Sequence, residues 1–138
     1  DTGYFTGWAR TGYSFKVYVT GSSPGKTLLP VCRYYGLPSA GLDSHFYSAS
    51  AKECYEVNHV YGTGWQIEND NVFQINLPNT TTGACPTGTI PVYRVFNNRH
   101  DANHRYATST VVRAQMEAAG WIREGYGPNA TIMCAVNH

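Results

Sequence analysis

The hydrophobic pattern comes in short bursts rather than long periods. Val31–Tyr35 and Val92–Phe96 are brief runs of β-branched and aromatic residues, the composition of strands. Phe46–Ser48 and Arg105–Thr108 carry the same signal over fewer positions. Further strands are predicted at Ser14–Thr20, Val72–Leu77 and Thr131–Val136. One segment changes period: after Ser109, an N-cap residue type, Val112, Met116 and Ala119 recur at i, i+4 and i+7, and Gly120 ends the run. Ala51–His59 follows Ser50 in the same way, with Cys54 and Val57 three apart. Both read as short helices. Gly21–Lys26 and Pro78–Gly88 are rich in Gly, Pro, Ser and Thr and read as connectors.

The elements recur in order because the sequence is duplicated. Pro30-Val31-Cys32-Arg33-Tyr34-Tyr35, Ser44-His45-Phe46-Tyr47-Ser48 and Gly64-Trp65-Gln66-Ile67-Glu68 return as Pro91-Val92-Tyr93-Arg94-Val95-Phe96, Asn103-His104-Arg105-Tyr106-Ala107 and Gly120-Trp121-Ile122-Arg123-Glu124. The offset drifts from 61 to 59 to 56 residues, which places the length changes in loops. Gly7-Trp8-Ala9-Arg10 echoes the Gly120-Trp121 stretch, so residues 7–20 read as a fragment of a third copy that completes a neighbour's sheet. The predicted architecture is a single β-rich α+β domain over residues 1–138. Its copies, 30–77 and 91–136, each run strand, strand, short helix, strand.

Composition narrows the function. Of 138 residues, 42% are apolar and 14% charged, and the net charge is only +1, too little basic surplus for electrostatic nucleic-acid binding. No run approaches the roughly 18 apolar residues of a membrane span. Eleven Tyr, three Trp and five Phe beside 14 Gly suit a domain outside the cytoplasm. Four cysteines without a C-x-x-C spacing point to two disulfides and an oxidising, secreted setting. Of three connectivities, Cys32–Cys54 and Cys85–Cys134 are preferred, because each pair then staples one copy.

Candidate chemistry begins with the residues present twice. Strand alternation sets Arg33 and Arg94 beside apolar neighbours, where a charge needs a partner. Glu68 and Glu124, three residues after each Trp, are the matching acids, so Arg33–Glu68 and Arg94–Glu124 are expected as structural ion pairs. The rival reading joins the two glutamates as a glycosidase pair. His45 and His104 precede Tyr47 and Tyr106 by two; scaffold hydrogen bonding, ligand binding, and metal binding or acid–base catalysis are the open readings. No metal-site or cofactor motif occurs, and G-x-S-x-G is absent. Tyr34, Tyr61, Asn97, Asn98, Asp101 and Tyr126 form the candidate ligand set: flat rings for a sugar face, with amides and a carboxylate for its hydroxyls.

The stretches 91–97, 103–109 and 118–126 resemble a bacterial repeat domain of unknown function. Its copies read V-Y-R-x-Y-N, D-H-F-Y-T-T-S and A-x-G-W-x-x-E-G, and Asp43-Ser44-His45-Phe46-Tyr47 fits the same pattern. The resemblance runs from Gly7 onward and implies an accessory module of secreted peptidases, glycoside hydrolases and other exported proteins, with no catalytic residues to carry over. Cys32 stands where Tyr is usual and Arg105 where Phe is usual. The resulting expectation is a non-catalytic, extracellular carbohydrate-binding module. Its partners would be a polysaccharide or cell-surface glycan and a catalytic domain on the same chain, with no cofactor. The alternatives are a small hydrolase or lyase using His45, Tyr47, His104 and Tyr106, and a protein-interaction or structural domain.

Overall fold

The structure, a computed structural model, describes residues 28–59 and 64–136. The fragment 7–20 with Trp8, the strand Ser14–Thr20, the connector Gly21–Lys26 and the candidate Tyr61 lie outside the described residues. The first half runs β1 (Leu29–Gly36), β2 (His45–Ser48), α1 (Ala51–His59) and β3 (Trp65–Ile75). The second runs β4 (Thr89–Phe96), β5 (His104–Ala107), α2 (Thr110–Ala118), β6 (Ile122–Glu124) and β7 (Met133–Val136). The strand order is β2-β1-β3 in one sheet and β5-β4-β6 in the other, with β7 also on β4. In each half the first strand is central, paired antiparallel with the strand before and the strand after the helix. The fold is the β-rich α+β class that the pattern predicts.

One difference from the sequence reading has a clear origin. Val72–Leu77 reads as a separate strand, yet β3 is continuous from Trp65 and covers all of β1. It does so through a bulge: Val31 pairs with Phe73 and Arg33 with Asn69, so residues 70–72 oppose Cys32 alone. In the second half the same span is divided. β6 covers Arg94–Phe96, and β7 covers Thr89–Val92. Between them the chain loops out, and Tyr126 bridges Thr131. The offset is 56 at Trp65/Trp121 and 60 at Phe73/Met133, so four extra residues turn a bulge into a loop. That loop needs Gly127, whose φ is +72° and where a Cβ would collide with the Thr82 carbonyl.

The core is shared between the halves. Val31, Ala49 and Ile75 pack with Val92, Ile132, Met133 and Ala135, all nearly inaccessible. A smaller cluster under α1 holds Cys32, Tyr34, Phe46 and Val57. Both helices start on a serine cap: Ser50 Oγ accepts from Glu53 N and Ser109 Oγ from Val112 N, each at 3.2 Å.

Both expected disulfides, Cys32–Cys54 and Cys85–Cys134, are present. Cys32–Cys54 fastens β1 to α1. The equivalent positions in the second half are Tyr93 and Arg113, and there the guanidinium lies 4.2 Å from the ring centroid. The same strand-to-helix joint is thus closed once by a covalent bond and once by a cation–π contact.

Closing a 22-residue loop contributes about 3 kcal/mol, so Cys32→Ala with Cys54→Ala should lower the unfolding free energy by about that amount. Cys32→Tyr with Cys54→Arg, which imports the second half's solution, should lose about 1 kcal/mol less. Chemical denaturation checks both; equal losses would show that the two joints are not interchangeable.

Candidate functional site

Each half builds the same polar triad from its three strands. Arg33 Nε donates to Glu68 Oε1 at 2.9 Å, and His45 Nε2 lies 3.0 Å from the same oxygen. Arg94 Nε donates to Glu124 Oε1 at 2.9 Å, with His104 Nε2 at 3.3 Å. Strand register dictates the match, since Arg94 stands opposite Glu124 across β4 and β6 and opposite Tyr106 across β4 and β5.

The surroundings of the two triads differ. The Arg33 side chain is 26% exposed, the Arg94 side chain 3%. Arg94 reaches out of its own half to α1, where Nη1 and Nη2 donate to the two carboxylate oxygens of Glu53 at 2.9 and 2.6 Å. Its guanidinium carbon lies 4.8 Å from the Phe46 ring centroid. Nearby, Tyr106 Oη donates to Tyr47 O at 2.7 Å and accepts from Tyr47 N at 2.8 Å. Ser44 Oγ donates to Ala102 O at 2.9 Å. These bonds pin the second half to the first. The position equivalent to Glu53 is Val112 in the second half, so the second half has no counterpart of this carboxylate.

Electrostatics follows from this wiring. Burial alone would raise the Glu53 carboxyl, but its hydrogen bonds and charge pairing with Arg94 hold it below the usual carboxylate range. Glu124 shows the same balance, with His104 and Arg94 outweighing burial. Burial raises the enclosed Tyr106 hydroxyl. Desolvation dominates at His45 and lowers its pKa, despite the pull of Glu68.

A cleft of about 420 Å³ opens where the halves meet. Its rings are Phe46, Trp65, Phe96 and His104, and its charged groups are Glu53, Glu56, Arg94 and Glu124. His104 organises the rings, lying 5.0 Å edge-on to Phe46 and stacked 5.2 Å from Phe96. Trp65, from the same half as Phe46, packs edge-on to it at 6.1 Å.

The sequence-predicted residues distribute unevenly around this cleft. His104, Arg94 and Glu124 line it. Tyr47 and Tyr106 meet edge to face at 5.8 Å, and Tyr47 also lies 6.4 Å from His45 and interacts with Arg33 and Glu68; His104 packs instead against Phe46 and Phe96. Of the four residues of the hydrolase alternative, His45, Tyr47 and Tyr106 thus lie in one series of ring contacts, and His104 lies with the rings of the cleft. Among the candidate ligand residues, Tyr34 is 2% exposed and donates its hydroxyl to Cys54 O. Asn97 builds the β4–β5 turn, donating to Asp101 O and accepting from Arg99 N and Asn103 N. Asn98 holds a left-handed φ of +53° in that turn, and Asp101 pairs with Arg99 at 3.2 Å. Tyr126 is half-buried on a separate apolar groove with Leu29 and Leu77.

Sequence reasoning passed over Glu53, Glu56, Trp65 and Phe96. In the sequence, Trp65 and Phe96 stand out only as positions of the repeat. The signal that singles out Glu53 is a break in the duplication, with Glu53 against Val112. Phe46 against Arg105 is a second such break at the same cleft.

The sequence pattern of one family, a domain of unknown function (DUF5648), matches residues 2–131, almost the whole chain. No curated protein and no solved structure matches it.

Arg94→Met and Glu124→Gln should couple. Each single change leaves a buried charge short of a partner, so the double variant should lose at least about 1 kcal/mol less than the sum of the singles. Additive losses in chemical denaturation would show that the pair is not a unit. Acid should unfold the domain in two stages. His45 has a lowered folded pKa, so its contribution is complete above its unfolded value of 6.5 and fades as pH falls below it. Glu53 and Glu124, also lowered, lose theirs below 4.5. Melting temperature against pH should show both slopes, and His45→Gln should remove the first only.

Proposed function

We propose that this chain, which belongs to the DUF5648 family, is a non-catalytic glycan-binding module of an exported protein, working beside a catalytic domain. The observation that carries the reading is the cleft between the halves. Half-buried Trp65 and Phe96 offer apolar ring surface, and carboxylates and a guanidinium stand beside them, the mixture of flat apolar wall and few polar groups that small-ligand sites share. A pyranose has a C–H face for the rings and hydroxyls for the charged groups. Export is supported by the two disulfides, which persist in oxidising compartments.

The lack of turnover rests on protonation. Cleaving a glycosidic bond needs one carboxyl kept protonated to act as an acid. Glu53 is instead held ionised by Arg94, and Glu124 by His104 and Arg94. The Tyr106 proton is directed at the Tyr47 carbonyl and its hydroxyl is enclosed, so it is not placed to serve as an acid either.

The protein should be retained on at least one insoluble polysaccharide from a panel of cellulose, chitin, xylan and peptidoglycan. Trp65→Ala, checked for an intact fold by circular dichroism, should weaken retention by about tenfold or more. Retention on none, or unchanged retention by the variant, would refute the site. Release of reducing ends that disappears in His104→Ala would return the molecule to the hydrolases.

A further inference from the structure

Resting on that reading, we infer that the cleft selects sugars bearing a free, protonated amine over N-acetylated and acidic ones. Three carboxylates, Glu53, Glu56 and Glu124, line the cleft against a single guanidinium. Arg94 is already shared: its Nη atoms serve Glu53 and its Nε serves Glu124. His104 Nε2 adds only a neighbour to the Glu124 oxygen that Arg94 also uses. Glu56 stands apart from this pairing. Its partner is Lys52, 3.1 Å away on the same helix, whose side chain is 84% exposed. An ion pair of that kind is weak and screened, so it leaves the Glu56 charge available to a ligand.

The rings point to the same chemistry. The Phe46 ring already carries the Arg94 guanidinium and Phe96 stacks on His104, so the half-buried Trp65 is the ring that serves an ammonium group or a C–H surface. An amino sugar therefore satisfies both walls at once, with its ring on Trp65 and its ammonium toward Glu56. N-acetylation removes the charge. A uronic acid brings a carboxylate toward three others. A lysine-rich peptide also carries ammonium groups, but on flexible stems that must be ordered on binding, which a rigid pyranose avoids.

The test is titration calorimetry of the whole chain, slightly below neutral pH, with four probes: glucosamine tetramer, N-acetylglucosamine tetramer, galacturonate tetramer and an oligolysine peptide. Glucosamine tetramer should bind about tenfold more tightly than its N-acetylated form, and the margin should shrink as salt is raised. Glu56→Gln should cut that margin to about threefold, and Glu56→Lys should abolish it. Melting temperature should barely move in either variant, because the Lys52 contact contributes little. Equal or tighter binding of the N-acetylated or acidic tetramer would overturn the charge preference while leaving glycan binding in place. Tighter binding of oligolysine would overturn it in favour of a protein partner. Binding of no tetramer, together with retention on no polysaccharide, would overturn the glycan reading itself.

Discussion

A guanidinium at 3% exposure sets the terms for this molecule. Arg94 lies on β4, flanked by core residues, and leaving such a charge unpaired would cost several kcal/mol. Its own strand neighbour Glu124 satisfies one edge of the fork. The other edge is satisfied by Glu53 on α1, a residue of the other half. The two halves must therefore dock in one orientation for the charge to be neutralised. The Tyr106 hydroxyl, bonded to both backbone groups of Tyr47, fixes the same registration from a second point. The cleft is the space that this docking leaves between Trp65 on one half and Phe96 and His104 on the other.

Much of this was legible in the chain. Duplication with antiparallel strand signals gave the class, and cysteine spacing against the repeat gave both disulfides. Two things were not legible. β3 reads as two pieces because its middle, Glu68–Asn71, is polar, and alternation cannot distinguish an exposed bulged stretch from a loop. The site was hidden for a different reason. Recurrence marks Trp65 and Phe96 only as repeat positions, while the candidate ligand set is drawn from tyrosines, amides and an aspartate elsewhere in the same two copies. Tyr34 then proved to be core, and Asn97 proved to spend its amide on a turn. Local polarity in the β4–β5 loop goes into building the turn.

Departures from the duplication carried more information than its matches. Cys32 and Cys54 against Tyr93 and Arg113 exchange one fastening for another at a conserved joint. Glu53 and Phe46 against Val112 and Arg105 do more, since both fall on the surface where the halves meet. A duplicated chain folded into one body has one internal junction. Positions at that junction experience surroundings that their counterparts do not, so symmetry there is physically unsupported.

The same asymmetry changes the matching face of the second half. Arg105 replaces Phe46, and its guanidinium lies 5.6 Å from the Trp121 ring centroid, covering the ring that corresponds to Trp65. Val112 removes the acid that would hold an incoming arginine. On the proposed reading, contact through this cleft alone would gain no avidity from the internal repeat. Strength would then come from the chain it belongs to. Under that proposal, tethering would set a local concentration for a neighbouring catalytic domain, and a weak site that releases readily would let that domain move along its substrate rather than remain fixed to it.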